Sequence, residues 1–237
     1  MHSQIVIPGA RRRGFTAAAS ASLPPALAQL APADRSMPGI FWLTALPEKL
    51  PLHLITALTL HEAWPGHLMQ MAIANELQHL PEFRRFTWAD YNGYVEGWAL
   101  YCERLDHDLG LYEDPADHFG LLAFALWRAA RLVVDTGIHW KGWSREQAIA
   151  YLVETSFLPL VTCESEVDRY IGMPAQALSY KIGERTIVEL RAEAEAQLGE
   201  RFSLPDLHDM LLALGPVSLA ELRRRACRWM DLQQVGE

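Results

Sequence analysis

Helix punctuation constrains this chain more than any other feature. From about Ser36 onward few stretches alternate apolar and polar residues strictly, so the pattern of a half-buried strand is scarce. Start and stop signals for helices are frequent instead. Pro51 suits the first turn of a helix whose stripe runs through Leu54, Leu58 and His61, an i, i+4, i+7 spacing. Pro115 precedes a long segment, Ala116 to Thr136, that Gly137 would close. Ser144 and Gln147 have the spacing of a capping box. Pro174 opens another long segment ending near Gly199. Ser203 starts a short helix before Gly215-Pro216, and Ser218 with Glu221 caps the last one. About eight helices joined by short loops are expected, hence an all-α fold with little or no strand. One extended segment is expected at Gly39 to Leu43, just after Pro38.

Residues 1–35 read differently. Arg11-Arg12-Arg13-Gly14-Phe15 leads into a small-residue stretch, Thr16 to Leu23, and then Pro24-Pro25-Ala26-Leu27-Ala28. A basic start, a weakly apolar stretch and a small-x-small site are the layout of an export signal. Arg12-Arg13-x-Phe15 resembles the twin-arginine motif. The other reading is a loose N-terminal tail. On either reading the segment stays outside the fold, and one helical domain spans 36–237. Export would place the protein in the periplasm; without it the location is cytoplasmic.

Composition narrows the partners. A 237-residue chain with 50% hydrophobic and 21% charged residues is neither a disordered tail nor a collagen-like fibre. The net charge of −8 argues against a nucleic-acid partner, which demands a basic surface. No run of apolar residues is long enough for a spanning helix, so no membrane partner is expected. Cys102, Cys163 and Cys227 form no C-x-x-C pair and read as buried, inert thiols.

The main chemical signal is His61-Glu62-Ala63-Trp64-Pro65-Gly66-His67. Imidazole is a good zinc ligand, and a carboxylate one residue on can reach a metal-bound water instead of the metal. In H-E-x-x-H the two histidines lie four apart on one helix face. Here they are six apart, which on a regular helix would leave them about 120° out of register. Pro65 and Gly66 fall in the interval. Proline interrupts the helix and glycine accepts unusual dihedrals, so the pair can loop out two residues and bring His67 back. The alternative is a helix end carrying two unrelated histidines. Glu96, in an aromatic-rich helix, is the best third ligand, because a carboxylate among apolar residues is costly unless paired or metal-bound. Glu103, seven residues on and on the same face, reads as its partner. The bland reading sends both carboxylates to solvent.

His61-Glu-Ala-Trp-Pro-Gly-His67-Leu-Met-Gln70, followed by Val95-Glu96-Gly-Trp-Ala-Leu-Tyr101, resembles a bacterial family known as domain of unknown function 885. Pro38-Gly39-Ile40-Phe41, Asp135-Thr-Gly-Ile-His139 with Lys141-Gly-Trp143, and the stretch from Arg169-Tyr170 to Gly183 strengthen the likeness. The family looks like a branch of the gluzincin-type zinc metallopeptidases, related to the thimet-oligopeptidase-like fold. The resemblance implies one zinc ion held by His61, His67 and Glu96, with Glu62 as catalytic base. It implies hydrolysis of peptide substrates by a metal-activated water. Tyr180 and His139 are then candidate donors to the oxyanion, with Asp135 orienting His139. Arg169 would hold a substrate carboxylate, or pair with Glu166 or Asp168.

This sequence departs from the family twice. Leu68 follows His67 where the family usually has a second histidine. Members also usually carry a large helical region before the Pro-Gly-Ile-Phe segment, so this chain looks like the C-terminal catalytic half. One wall of the substrate groove is then missing, and apolar surface is left for a partner chain or self-association to cover. Two further readings are a catalytically inactive zinc-binding fragment and a metal-free helical interaction module.

Overall fold

The computed structural model describes residues 11–32, 34, 36–86 and 89–235. The architecture is mainly helical, as expected, with one small sheet. Strands β1 (Arg11–Gly14), β2 (Ala26–Gln29) and β3 (Ile40–Leu43) form that sheet. The helices are α1 (Ala17–Ser22), α2 (Ile55–Glu62), α3 (His67–Glu76), α4 (Glu82–Phe86), α5 (Asn92–Cys102), α6 (Asp106–Leu109) and α7 (Pro115–Lys141). They continue with α8 (Arg145–Ser156), α9 (Leu160–Gly172), α10 (Gln176–Leu198), α11 (Leu204–Ala213) and α12 (Leu219–Val235).

Several local expectations hold. Ser144 and Gln147 form a reciprocal capping box at the start of α8. The Ser203 hydroxyl accepts from the backbone N–H of Asp206, and that of Ser218 from the N–H of Glu221. The extended segment after Pro38 is β3. Pro51 stands before a 3-10 turn, Leu52–Leu54, that leads directly into α2.

The expectation that residues 1–35 stay outside the fold does not hold for 11–29; residues 1–10 lie outside the described residues. Residues 11–29 are built into the fold. The central strand β3 pairs in parallel with β1, Arg11 opposite Ile40, and antiparallel with β2, Ala26 opposite Leu43. Phe15 stacks on Trp42 at 5.5 Å, and the Trp42 indole donates to Gln29 at 2.7 Å. The buried Ser20 hydroxyl accepts from the Ala45 N–H at 2.8 Å. A 4-residue strand such as Arg11–Gly14 is fully exposed on its side chains and carries no alternating pattern, so only pairing reveals it.

Two smaller corrections follow from packing. Gly137 does not end α7. The helix continues to Lys141 and stops at Gly142, whose φ of 71° is the left-handed cap glycine favours. Gly137 lies inside the helix, where the ring of Trp143 packs into the space a Cβ would take. Cys227 is exposed, whereas Cys102 and Cys163 are buried. On α12 the inward stripe is Leu222, Ala226 and Met230, which turns Cys227 outward.

Two hydrophobic clusters hold the helices. One gathers Phe124, Trp127, Leu152, Val167 and Tyr170 between α7, α8 and α9. The other gathers Tyr94, Trp98, Leu190, Leu207, Leu211 and Leu222 between α5, α10, α11 and α12. Helices α5 and α10 cross closely through Gly93, Gly97 and Gly183, where backbone meets backbone. That crossing brings Glu96 of α5 beside Gln176 and Tyr180 of α10.

Candidate metal centre

The odd histidine spacing is resolved by a break between α2 and α3. His61 lies in the last turn of α2, and His67 is the first residue of α3. Between them the Trp64-Pro65 peptide is cis. A Cβ on Gly66 would overlap the carbonyl oxygens of Leu60 and His61, so only glycine lets the loop close this tightly. The Trp98 indole donates to the Pro65 carbonyl at 3.0 Å and ties the loop to α5. Past the break, Leu68, Met71 and Ala74 bury the inner face of α3. The two rings end 4.8 Å apart, at 86° to one another.

Glu96 completes the group. Its Oε2 is 3.2 Å from His67 Nε2 and 3.6 Å from His61 Nε2. All three ligand atoms lie within 4.8 Å of one another. Ligands about 2.0–2.2 Å from a tetrahedral zinc ion stand about 3.3–3.6 Å apart, so Glu96 lies near a fitting distance from each histidine, and the N, N, O set suits such an ion chemically. The distant nitrogen of His61 is also held: Nδ1 is 2.7 Å from Glu103 Oε1, and Arg128 pairs with that same oxygen at 3.1 Å. A carboxylate at the far nitrogen turns the near one toward a cation. Glu103 therefore serves His61 and not Glu96, because its helix turns it behind the first histidine. Neither carboxylate is sent to solvent: Glu103 is fully buried and Glu96 nearly so.

Charge is coupled throughout the group. Burial disfavours the charged form of His61, but Glu103 and Glu96 hold its pKa up to about 9. Burial likewise opposes ionisation of Glu96, yet His67 and His61 pull it well below the usual carboxylate range. Burial and the neighbouring Glu96 push the Tyr180 phenol up to about 12, so it stays a neutral donor.

Glu62, Tyr180 and Arg169 line the same cavity, of about 360 Å³, as His61, His67 and Glu96. The edge strand β2 supplies another wall through Pro24 to Ala28. His139 does not reach it. It is exposed on α7, with Nε2 2.9 Å from the Tyr170 carbonyl, and its expected partner Asp135 accepts instead from the Ala175 N–H at 3.1 Å. Arg169 takes the pairing option: it donates to Glu166 at 2.8 Å, while Asp168 pairs with Arg145. It also donates to the Gln176 side chain at 2.6 Å, and Gln176 donates in turn to Glu96 Oε1 at 3.2 Å. Gln176, Arg128 and Arg131 are site residues that the sequence reading left without a role. Two arginines inside the apolar run of α7 were the available signal, since burying them demands partners.

The fold and site define a mainly helical protein with a buried His-His-Glu group able to hold a metal ion. The chain belongs to the family described as "Bacterial protein of unknown function (DUF885)", whose model matches residues 8–225. It is similar to the crystal structure of "the putative lipoprotein from Colwellia psychrerythraea", with 40% identity and a TM-score of 0.87. That match covers 94% of this chain and 38% of the other. A structure of "a putative lipoprotein of unknown function from Shewanella oneidensis" shares the fold at 24% identity and a TM-score of 0.71, over 91% of this chain and 40% of that one. The chain thus spans about two-fifths of the length of both. No curated protein matches it. Among the described residues no helix is long and apolar enough to cross a membrane.

Proposed function

We propose that this protein is a zinc-dependent hydrolase of peptide bonds. The observation that supports this most is the convergence of His61, His67 and Glu96 in a cavity that Glu62 also lines. His61, His67 and Glu96 would hold the zinc ion, which would supply Lewis-acid activation of water at neutral pH. Glu62 takes a proton from the attacking water and passes it to the leaving amine. The neutral Tyr180 hydroxyl donates to the developing oxyanion. Gln176, held by Arg169, fixes the orientation of Glu96.

A second reading is a zinc-binding unit without activity. The outer face of α7 exposes Phe119, Leu122, Leu126 and Trp140, which supports cover by another chain or a second copy. The description of the Colwellia protein as a "putative lipoprotein" supports a location in the cell envelope.

Metal analysis with a peptide-library digest tests the proposal. One zinc per chain and cleavage are expected. Glu62→Gln should keep the zinc and lose about 10²–10⁴-fold in rate; His61→Ala should lose the zinc. Absence of stoichiometric metal overturns the reading. Zinc without cleavage favours the inactive unit.

A further inference from the structure

The cavity beside the candidate metal-ligating group is lined by three arginines, Arg128, Arg131 and Arg169, and by three carboxylates, Glu62, Glu96 and Glu166. Arg131 and Arg169 share a single carboxylate, donating to Glu166 Oε2 at 3.0 and 2.8 Å. Lys49 lies within Coulombic reach of that carboxylate as well. Arg128 has Glu103, at 3.1 Å. Among the described residues, Arg131 Nη1 and the Nε and Nη1 of Arg128 meet no hydrogen-bond acceptor. Both arginines are nearly fully buried, at 3% and 2% exposure, and both line the cavity. Their guanidinium planes are held by aromatic faces: Arg131 over Trp127 at 4.1 Å and Tyr180 at 4.2 Å, Arg128 over Phe124 at 4.2 Å.

Buried donors without acceptors are rare in native proteins and point to a missing ligand, ion or water. A guanidinium fork fixed by stacking is shaped for a carboxylate, which it binds with two parallel hydrogen bonds. The distance to the reaction centre is short. Arg169 donates to one end of the Gln176 amide and the other end donates to Glu96, so a single side-chain amide separates a guanidinium from a metal ligand.

We propose that Arg131, with Arg128 and Arg169, recognises a carboxylate of the substrate held within about two residues of the bond to be cleaved. This rests on the reading of the site as a peptide hydrolase and gives that reading a substrate class: peptides with a free C-terminal carboxylate near the scissile bond. A carboxylate can also come from an acidic side chain, and the test separates the two sources.

The experiment uses the full chain carrying Glu62→Gln, with zinc content measured on the same sample. Calorimetric titration compares three short N-acetylated peptides: one with a free C-terminus, the same ending in an amide, and an amide with aspartate at the last position. The free acid should bind about tenfold or more tightly than the plain amide. Adding Arg169→Gln, or Arg131→Gln, should bring that ratio close to one. The ratio is taken within one protein, so general loosening cancels; if Arg131→Gln does not fold, Arg169→Gln decides. An aspartyl amide that binds as tightly as the acid assigns the carboxylate to a side chain. Equal affinity for acid and plain amide, no binding of any peptide, or a ratio untouched by Arg169→Gln overturns the proposal. Absence of zinc would sink the hydrolase reading alone, because the same ratio read on metal-free protein still reports on the arginines.

Discussion

Replacing Gly183 with alanine tests whether the crossing of α5 and α10 sets the metal-ligating group. A Cβ at this position would overlap the Gly93 carbonyl oxygen and stand 2.7 Å from the Gly97 Cα. Both obstacles are backbone, so no side-chain rotation relieves them and the two helices must move apart. Overpacking of this kind costs about 1–3 kcal/mol, and the better helix propensity of alanine offsets up to about 1 kcal/mol. The net loss is about 0–3 kcal/mol, and at about 2–4 °C per kcal/mol for a chain of this size the melting temperature falls by up to about 12 °C. Glu96 precedes Gly97 directly, so the same displacement should carry it away from Gln176 and weaken the proposed zinc site. Thermal unfolding of metal-free protein at pH 7 and a zinc titration against a competing chelator measure the two effects. Gly172→Ala is the control. That glycine ends α9, and a Cβ there meets nothing within 4 Å, so its replacement should be neutral or slightly stabilising. If Gly183→Ala were as stable as the parent and bound zinc equally well, the close crossing would not be what positions Glu96.

Two other outcomes follow from buried charge. Glu103→Gln should weaken zinc binding by about 10–100-fold, because His61 loses the carboxylate at its far nitrogen. It should also destabilise by about 3–5 kcal/mol, since Arg128 stays buried without its partner. Adding Arg128→Met should recover stability but not zinc affinity; recovery of both would make Glu103 purely structural. For Glu166, burial opposes ionisation, but Arg169 and Arg131 hold its pKa down at about 2, against an ordinary 4.5. A depressed carboxylate adds stability that is complete above about pH 4.5 and is lost as pH falls toward 2, on the order of 3 kcal/mol. Urea unfolding between pH 6 and 2.5 should show that loss, and Glu166→Gln should flatten this part of the curve. An unchanged slope in the variant would refute the assignment.

Much of the helical framework was legible along the chain because its signals are local. A serine three residues before an acceptor, a proline in a first turn and a repeating apolar stripe act over one or two turns, so Ser144, Ser203 and Ser218 could be placed by spacing. The three residues that could hold a metal were legible for a related reason. Pro65-Gly66 is a local device that corrects a local mismatch, and a carboxylate amid Tyr94, Val95, Trp98 and Leu100 has few inexpensive fates.

What escaped was non-local. Arg11–Gly14 becomes a strand only because Ile40–Leu43 lies beside it. Gly137 looked like a stop, but a neighbouring Trp143 ring fills the space above it. His139 had the right residue type and spacing, yet its end of α7 faces the α9–α10 junction and not the cavity. The sequence by itself determined a helical fold and the three residues of the candidate metal group, since propensity, capping and donor chemistry are written in neighbouring residues. Only the tertiary structure decided which groups support them: Glu103 behind His61, Gln176 on Glu96, and three arginines around the cavity. Long charged side chains take their partners from whatever element folding brings within reach, and no spacing along one chain encodes that choice.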